Sequence, residues 1–306
     1  MNAKILGGAN NFFTVEREDG KIFSCSIKGK VLRLPSNVYN PLAPGDEVEL
    51  QKEGDDSAII KALIPRRNAI TRLNIKTYSP QTLAANIDLM LCLTTPQSPP
   101  FRPRFVDRLI VEGERAKVPI IIVLNKLDLG ITNDVNIRLS NWEVMGYDVL
   151  RISTKENCGL DILKDKLKGK TSLLIGQSGV GKSSLLNALA PSLKLKTSEL
   201  SYKYNRGVHT TTHSYLFNLE DDIKIIDTPG IRNFSLWDVD DKELIEYFRE
   251  LKDLSLKCKF SPSCKHEGEM GCAILEALDK EAILYDRYEN YIRIKEEIRA
   301  LRKFIR

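Results

Sequence analysis

Gly176-Gln-Ser-Gly-Val-Gly-Lys-Ser183 follows the apolar run Thr171–Ile175 and precedes the helical stretch Ser184–Leu189. The pattern is G-x-x-x-x-G-K-[ST] in the strand-then-helix setting that it needs. Its glycines let backbone N–H groups turn inward around phosphates, at a helix N-terminus where negative charge is favoured. Lys182 would then reach the β- and γ-phosphates, and Ser183 would ligate Mg²⁺. The nucleotide-contacting residues expected from this stretch are Gly176, Gln177, Ser178, Gly179, Val180, Gly181, Lys182, Ser183 and Ser184.

Two further motifs extend the site. Downstream, Asp227-Thr-Pro-Gly230 ends the apolar Ile223–Ile226. An Asp there can hold Mg²⁺, usually through water, and Gly230 can offer its N–H to the γ-phosphate. Upstream, Asn125-Lys-Leu-Asp128 follows the run Pro119–Leu124. Asp128 can accept from the guanine ring N–H and amino group, which adenine cannot supply. Asn125 would support the loop and read the base, with Lys126 lying along it. Ser153 and Thr154, after a strand ending at Ile152, form the loop expected to close over the base. Together the three motifs select GTP over ATP. Their order is unusual: NKLD lies about fifty residues before the phosphate loop, so the sheet is expected to be circularly permuted. The chain beyond Gly230 leads straight into the C-terminal region, so a moving DTPG segment could pull directly on that region.

Hydrolysis needs a residue that orients water, and a Gln just after the DxxG segment does this in Ras-like sites. Here Ile231 stands after Gly230 and cannot. The segment Arg206-Gly-Val-His-Thr-Thr-Thr-His213 offers His209 as the water-orienting group, a neutral imidazole suiting that task near pH 7; His213 is the lesser candidate. Thr210 or Thr211 would complete the Mg²⁺ shell.

The chain around this core divides into three stretches. Residues 1–72 read as an all-β barrel, with strands expected at Phe13–Arg17, Ile22–Ile27, Val31–Leu34, Glu47–Gln51 and Ala58–Ile64 between turn signals such as Asp19-Gly20 and Gly54-Asp55. An OB-like and an SH3-like closure both fit that count. Residues 73–236 alternate apolar runs with helical periodicity, the mark of a doubly wound α/β sheet. Residues 237–306 are helical and charged, with long helices expected over Asp241–Leu254 and Lys280–Phe304. Between those two helices lies Cys258-x₅-Cys264-x-His266-x₅-Cys272, a Cys₃His set suited to one structural zinc ion.

Composition sets the outer limits. The 306 residues carry 46 Lys+Arg against 41 Asp+Glu, a net charge of +5 that does not by itself imply nucleic acid. Two runs without any acidic residue, Lys61–Lys76 and Arg299–Arg306, suit RNA phosphates without demanding them. No apolar run approaches the roughly 18–20 residues of a membrane span. MNAKILGGANNFF shows no signal-peptide pattern, so a cytoplasmic location with reduced cysteines is expected.

The permuted motif order combined with C-x₅-C-x-H-x₅-C closely resembles the ribosome small-subunit-dependent GTPases, the RsgA (YjeQ/YloQ) family. Arg67-Asn68 with Arg72, Ala84-Ala-Asn-Ile-Asp88 and Gly207-Val-His-Thr-Thr211 carry the likeness further. The resemblance implies a circularly permuted P-loop GTPase domain between an N-terminal OB-fold and a C-terminal helical zinc-binding module. It implies slow GTP hydrolysis to GDP and phosphate, stimulated by the small (30S) ribosomal subunit late in its maturation, with contacts to its 16S rRNA. It makes His209 the catalytic histidine and Cys258, Cys264, His266 and Cys272 the zinc ligands. A monomer without a membrane partner is expected. Two alternatives stand beside it: a GTP-regulated RNA-binding module, and a signalling GTPase with a non-ribosomal partner.

Overall fold

The computed structural model describes residues 1–9, 11–27, 40–193, 214–231 and 233–305, with side chains to Arg302 in the last helix. The expected strand Val31–Leu34 and the segment carrying His209, Thr210, Thr211 and His213 lie outside the described residues.

Five strands close the N-terminal barrel: β1 (Asn2–Ala9), β2 (Phe12–Arg17), β3 (Ile22–Ile27), β4 (Glu47–Lys52) and β5 (Ser57–Leu63). Their order is β1-β2-β3-β5-β4, and β1 pairs again with β4 to complete the ring. The β3–β5 pair is parallel, which a meander of hairpins cannot produce, so the closure is OB-like. Alternate residues turn inward, and Ile5, Phe13, Val15, Phe23, Val48, Leu50 and Ile60 fill the interior. Strand β1 was not among those expected, because Leu6-Gly7-Gly8-Ala9 carries little strand signal; its pairing partners on both sides impose the conformation.

A second unexpected element follows. Strands β6 (Ala69–Asn74) and β7 (Ser79–Ala85) form a separate two-stranded hairpin that runs across residue 72. Pro80 in β7 and the polar residues of both strands hid it from the hydrophobic pattern.

The central sheet contains β8 (Leu89–Thr94), β9 (Ile120–Leu124), β10 (Asp148–Arg151), β11 (Thr171–Gly176), β12 (Tyr215–Asn218) and β13 (Lys224–Asp227). Its spatial order is β10-β9-β8-β11-β13-β12, all parallel except the edge strand β12, which also touches β1 at Gly7–Tyr215. Counting from β11 instead of β8 turns that order into 6-5-4-1-3-2, so the expected permutation is a matter of where the chain is cut.

Helices cover both faces. Helix α1 (Pro103–Ala116) and α2 (Asn133–Val144) lie on one, α3 (Leu160–Leu167) and α4 (Lys182–Leu189) on the other. The period-two alternation of β8 assigns its residues. Met90 and Cys92 join Leu109, Ile110, Leu139 and Trp142, while Leu89, Leu91 and Leu93 join Leu163, Leu167, Leu185 and Leu186. Each such fully buried aliphatic side chain contributes about 1.5–3 kcal/mol relative to exposure. The C-terminal helices α5 (Arg249–Ser255), α6 (Ala273–Asp279) and α7 (Tyr285–Ile305) extend the first of these two cores.

The helix expected over Asp241–Leu254 is broken. A 3₁₀ turn at Leu244–Tyr247 ends at Phe248, whose backbone is extended (φ −113°, ψ 95°), and α5 starts anew. Phe248 is fully buried edge-on to Tyr291, with ring centroids 5.3 Å apart, and that packing outweighs helical propensity. The helix expected from Lys280 begins instead at Tyr285.

Candidate nucleotide site and Cys₃His cluster

Strand β8 leads into α1 on one face and its neighbour β11 into α4 on the other, so the crevice at their C-terminal ends is a topological switch point. The three motifs meet there. Gly176 ends β11, Asp227 ends β13, and Asn125 follows β9.

The phosphate loop is held from several sides. Gly181 has φ +99°, and a Cβ there would lie 2.4 Å from Asn125 Nδ2, so only glycine fits. Lys182 is buried, and its ammonium donates to the Gly176 and Gln177 carbonyls at 2.9 and 3.1 Å. Burial pulls its pKa down, and the Asp227 carboxylate opposes that. Ser183 and Asp227 are both buried; together they offer the hard oxygen donors that Mg²⁺ takes. The DTPG stretch runs along the end of β11, with Thr228 Oγ1 donating to the Leu174 carbonyl at 3.0 Å and Ile231 N to Gly176 O at 3.3 Å. A Cβ on Gly230 would come within 3.0 Å of Ser178 Cα, so the two loops are in direct contact.

The base-side loops are tied to the phosphate loop through Asn125, whose side chain is fully buried. Its Nδ2 donates to Val180 O at 3.0 Å, and its Oδ1 accepts from Thr154 N at 3.2 Å. Asn125 therefore acts as a brace between loops, and its side chain is already used in doing so. Lys126 has a left-handed backbone and donates to Gly179 O at 2.8 Å. Asp128 accepts from Ser153 Oγ at 2.7 Å, and Lys155 lies 3.8 Å from its other oxygen. The Ser153 hydroxyl, with smaller help from Lys155 and Lys126, holds the Asp128 carboxyl below its usual range.

The metal-ligand candidates converge equally well. Sγ of Cys258, Cys264 and Cys272 and a ring nitrogen of His266 lie within 4.8 Å of one another. His266 Nδ1 is 3.6 Å from Cys258 Sγ and 3.5 Å from Cys272 Sγ, and those two sulfurs are 3.8 Å apart. A tetrahedron with Zn–S of 2.3 Å and Zn–N of 2.0–2.1 Å has edges of about 3.8 Å between sulfurs and about 3.6 Å between sulfur and nitrogen. The donor set fits that ion. The loop is buttressed from α7, where Tyr288 Oη donates to His266 O at 2.6 Å and Lys295 Nζ to Lys265 O at 2.6 Å. Glu269 accepts from the backbone N–H of Lys265 and Glu267, both at 2.9 Å, and its pKa falls to about 2 even though its desolvation acts the other way.

A family model described as RsgA GTPase matches residues 63–237. The chain belongs to the RsgA GTPase family. Membership makes it a GTP-hydrolysing enzyme. It is 36% identical over 304 residues to the small ribosomal subunit biogenesis GTPase RsgA 2 of Bacteroides thetaiotaomicron, covering 97% of each chain. It is 34% identical to the protein named small ribosomal subunit biogenesis GTPase RsgA of Borreliella burgdorferi, covering 100% of this chain and 99% of that one. Among solved structures, YjeQ from Thermotoga maritima matches with a TM-score of 0.74 and 31% identity over 97% of this chain and 98% of its own. YloQ, described as a circularly permuted GTPase, matches with a TM-score of 0.70 and 26% identity, over 98% and 95%.

Within this RsgA-type fold, one part of the site escaped the sequence reading. The proline-rich loop after β8 lies against the phosphate loop: Lys126 Nζ donates to Ser98 O, and Pro99 Cδ is 3.6 Å from where a Gly179 Cβ would stand. Its signal was a run of turn residues after a fully buried strand, at the switch point. Among the described residues, no helix is long and apolar enough to cross a membrane.

Proposed function

We propose that this protein hydrolyses GTP as a timing step in the biogenesis of the small ribosomal subunit, acting as a cytoplasmic monomer. The observation that supports this most is the convergence of NKLD, GQSGVGKS and DTPG in one crevice, on a chain alike end to end to relatives named for small-subunit biogenesis. In this reading residues 1–72, 73–236 and 237–306 form the barrel, the GTPase domain and the metal module.

GTP would lie with its base against Asn125, Lys126, Asp128, Ser153 and Thr154. Its phosphates would sit in the cradle from Gly176 to Ser184. Lys182 would exchange two backbone carbonyls for phosphate oxygens, which carry full negative charge and so hold it more strongly. Mg²⁺, held through Ser183, Asp227 and Thr210 or Thr211, would neutralise charge on the β- and γ-phosphates. Gly230 would offer its N–H to the γ-phosphate. His209 would orient the attacking water in line with the β–γ bridge, a task for which a neutral imidazole suits pH 7. One zinc ion on Cys258, Cys264, His266 and Cys272 would fasten the C-terminal module without chemistry of its own. The barrel and that module would contact the 16S rRNA of the 30S subunit.

GTP turnover by the purified protein, alone and with small or large ribosomal subunits, tests this. Strong stimulation by the small subunit alone is expected, and His209→Ala should abolish it while leaving GTP binding in place. Tight GTP binding with no response to either subunit would overturn the ribosomal reading and leave the GTPase core.

A further inference from the structure

The direct run of chain from DTPG into the C-terminal module invites the view that the module swings with the nucleotide. The packing argues for a different output. Asp107 on α1 is fully buried and is the node of a network joining both halves. Its carboxylate accepts from Trp142 Nε1 at 2.9 Å and from Arg138, both on α2. From α7 it accepts from Asn290 Nδ2 at 2.5 Å, and Arg287 Nη1 lies 2.5 Å away. Arg287, itself fully buried, reaches on to Glu250 Oε1 on α5 at 2.6 Å and stacks over Phe248, 4.3 Å from the ring centre. Two arginines and two carboxylates from four helices thus neutralise one another away from water. Sliding either body past the other would leave a buried charge without its partner, which is strongly destabilising.

The described residues of the segment after DTPG take no part in that charge network, and the segment is bonded along its backbone to the hairpin. Leu73 N of the β6–β7 hairpin donates to Ser235 O at 2.9 Å, and Arg72 bridges Leu236. Asn233, Phe234 and Ser235 border a cleft of about 740 Å³ that opens between Gln177, the start of α1 and the far half of α7. Asn233 and Ser235 face this cleft side while Ile231, Phe234 and Leu236 are buried in the core, and the backbone partner of the segment is the hairpin.

We propose that the Asp107 network fixes α5 and α7 to α1 and α2 as one body, so that a nucleotide-driven shift of Thr228–Ile231 and Asn233–Leu236 is delivered to the β6–β7 hairpin and not to the metal module. This rests on the reading that the crevice binds guanine nucleotide. Hydrogen exchange of the zinc-loaded full chain, with GDP and with a β,γ-imido GTP analogue in Mg²⁺, tests it. Exchange in residues 69–85 should differ between the two states by about threefold or more, with α5 and α7 unchanged. A difference in α7 with a silent hairpin would overturn the proposal. Replacing all four charges by neutral side chains, Asp107→Leu with Arg138→Met, Arg287→Met and Glu250→Gln, leaves none of them stranded; α7 should then acquire a nucleotide-dependent difference. A folded quadruple variant whose α7 stays silent would also overturn it. Binding of fluorescent GDP is measured in parallel, and its absence would remove the functional reading and this proposal together.

Discussion

The nucleotide crevice and the Cys₃His cluster are both assembled on loops from short motifs, yet they are held by opposite means. In the crevice the protein supplies every restraint. Asn125 bonds to two other loops, Lys182 is satisfied by its own loop's carbonyls, and Gly181 and Gly230 permit contacts that any side chain would block. The cluster gathers four donor atoms within 4.8 Å of one another. Burial raises the pKa of the Cys264 and Cys272 thiols, so the sulfurs become thiolates only when a cation binds among them. One site is braced by the protein's own hydrogen bonds; the other is expected to draw its stability from a metal ion that its four donors could hold.

The largest expected effect falls on the second site. Cys272 is almost fully buried at the start of α6, and Cys272→Ser should lose stoichiometric metal. Structural zinc contributes on the order of 10 kcal/mol to small modules, so the C-terminal helices should melt at a visibly lower temperature, read by circular dichroism beside metal analysis. An unchanged melting curve in a metal-free variant would erase the contrast between the two sites.

A smaller effect is expected in the crevice, because its restraints are many. Gly181→Ala forces a Cβ onto Asn125 in a left-handed backbone. Strain of about 1–3 kcal/mol should weaken GDP binding by about 5–150-fold, with the fold intact. Wild-type affinity in that variant would mean the loop is not preformed.

The smallest effect concerns pH. Ser153 keeps the Asp128 carboxyl low, so its ionised form persists as acid is added. A lowered carboxylate contributes fully above its unfolded value, near about 4, and is lost as pH falls through the folded value. Ser153→Ala raises that folded value, so the acid loss of GDP affinity should begin at a higher pH than in the parent. Coincident profiles, measured with fluorescent GDP, would show that Ser153 does not tune the base loop.

Legibility in the sequence follows the same division. The crevice motifs were readable because phosphate and guanine recognition require fixed residue types at fixed spacings, and the Cys₃His ligands because few other arrangements explain them. What stayed hidden depends on distant partners. Asp107 and Arg287 are ordinary helix charges in sequence, 180 positions apart, and only the packing of α7 on α1 shows them to be one buried pair. Phe248 interrupts a helical pattern because Tyr291 and Arg287 hold its ring. Strand β1, with two glycines, exists because β2 and β4 flank it. His209 was legible as a motif, and its segment lies outside the described residues.

The most direct test of the contrast is GDP affinity before and after zinc-selective chelation, with Mg²⁺ in excess throughout. A preformed crevice predicts affinity retained within about threefold, under 1 kcal/mol, while the C-terminal helices lose their cooperative melting. Loss of GDP binding together with the metal would show that the crevice borrows its shape from the module, and would contradict the account.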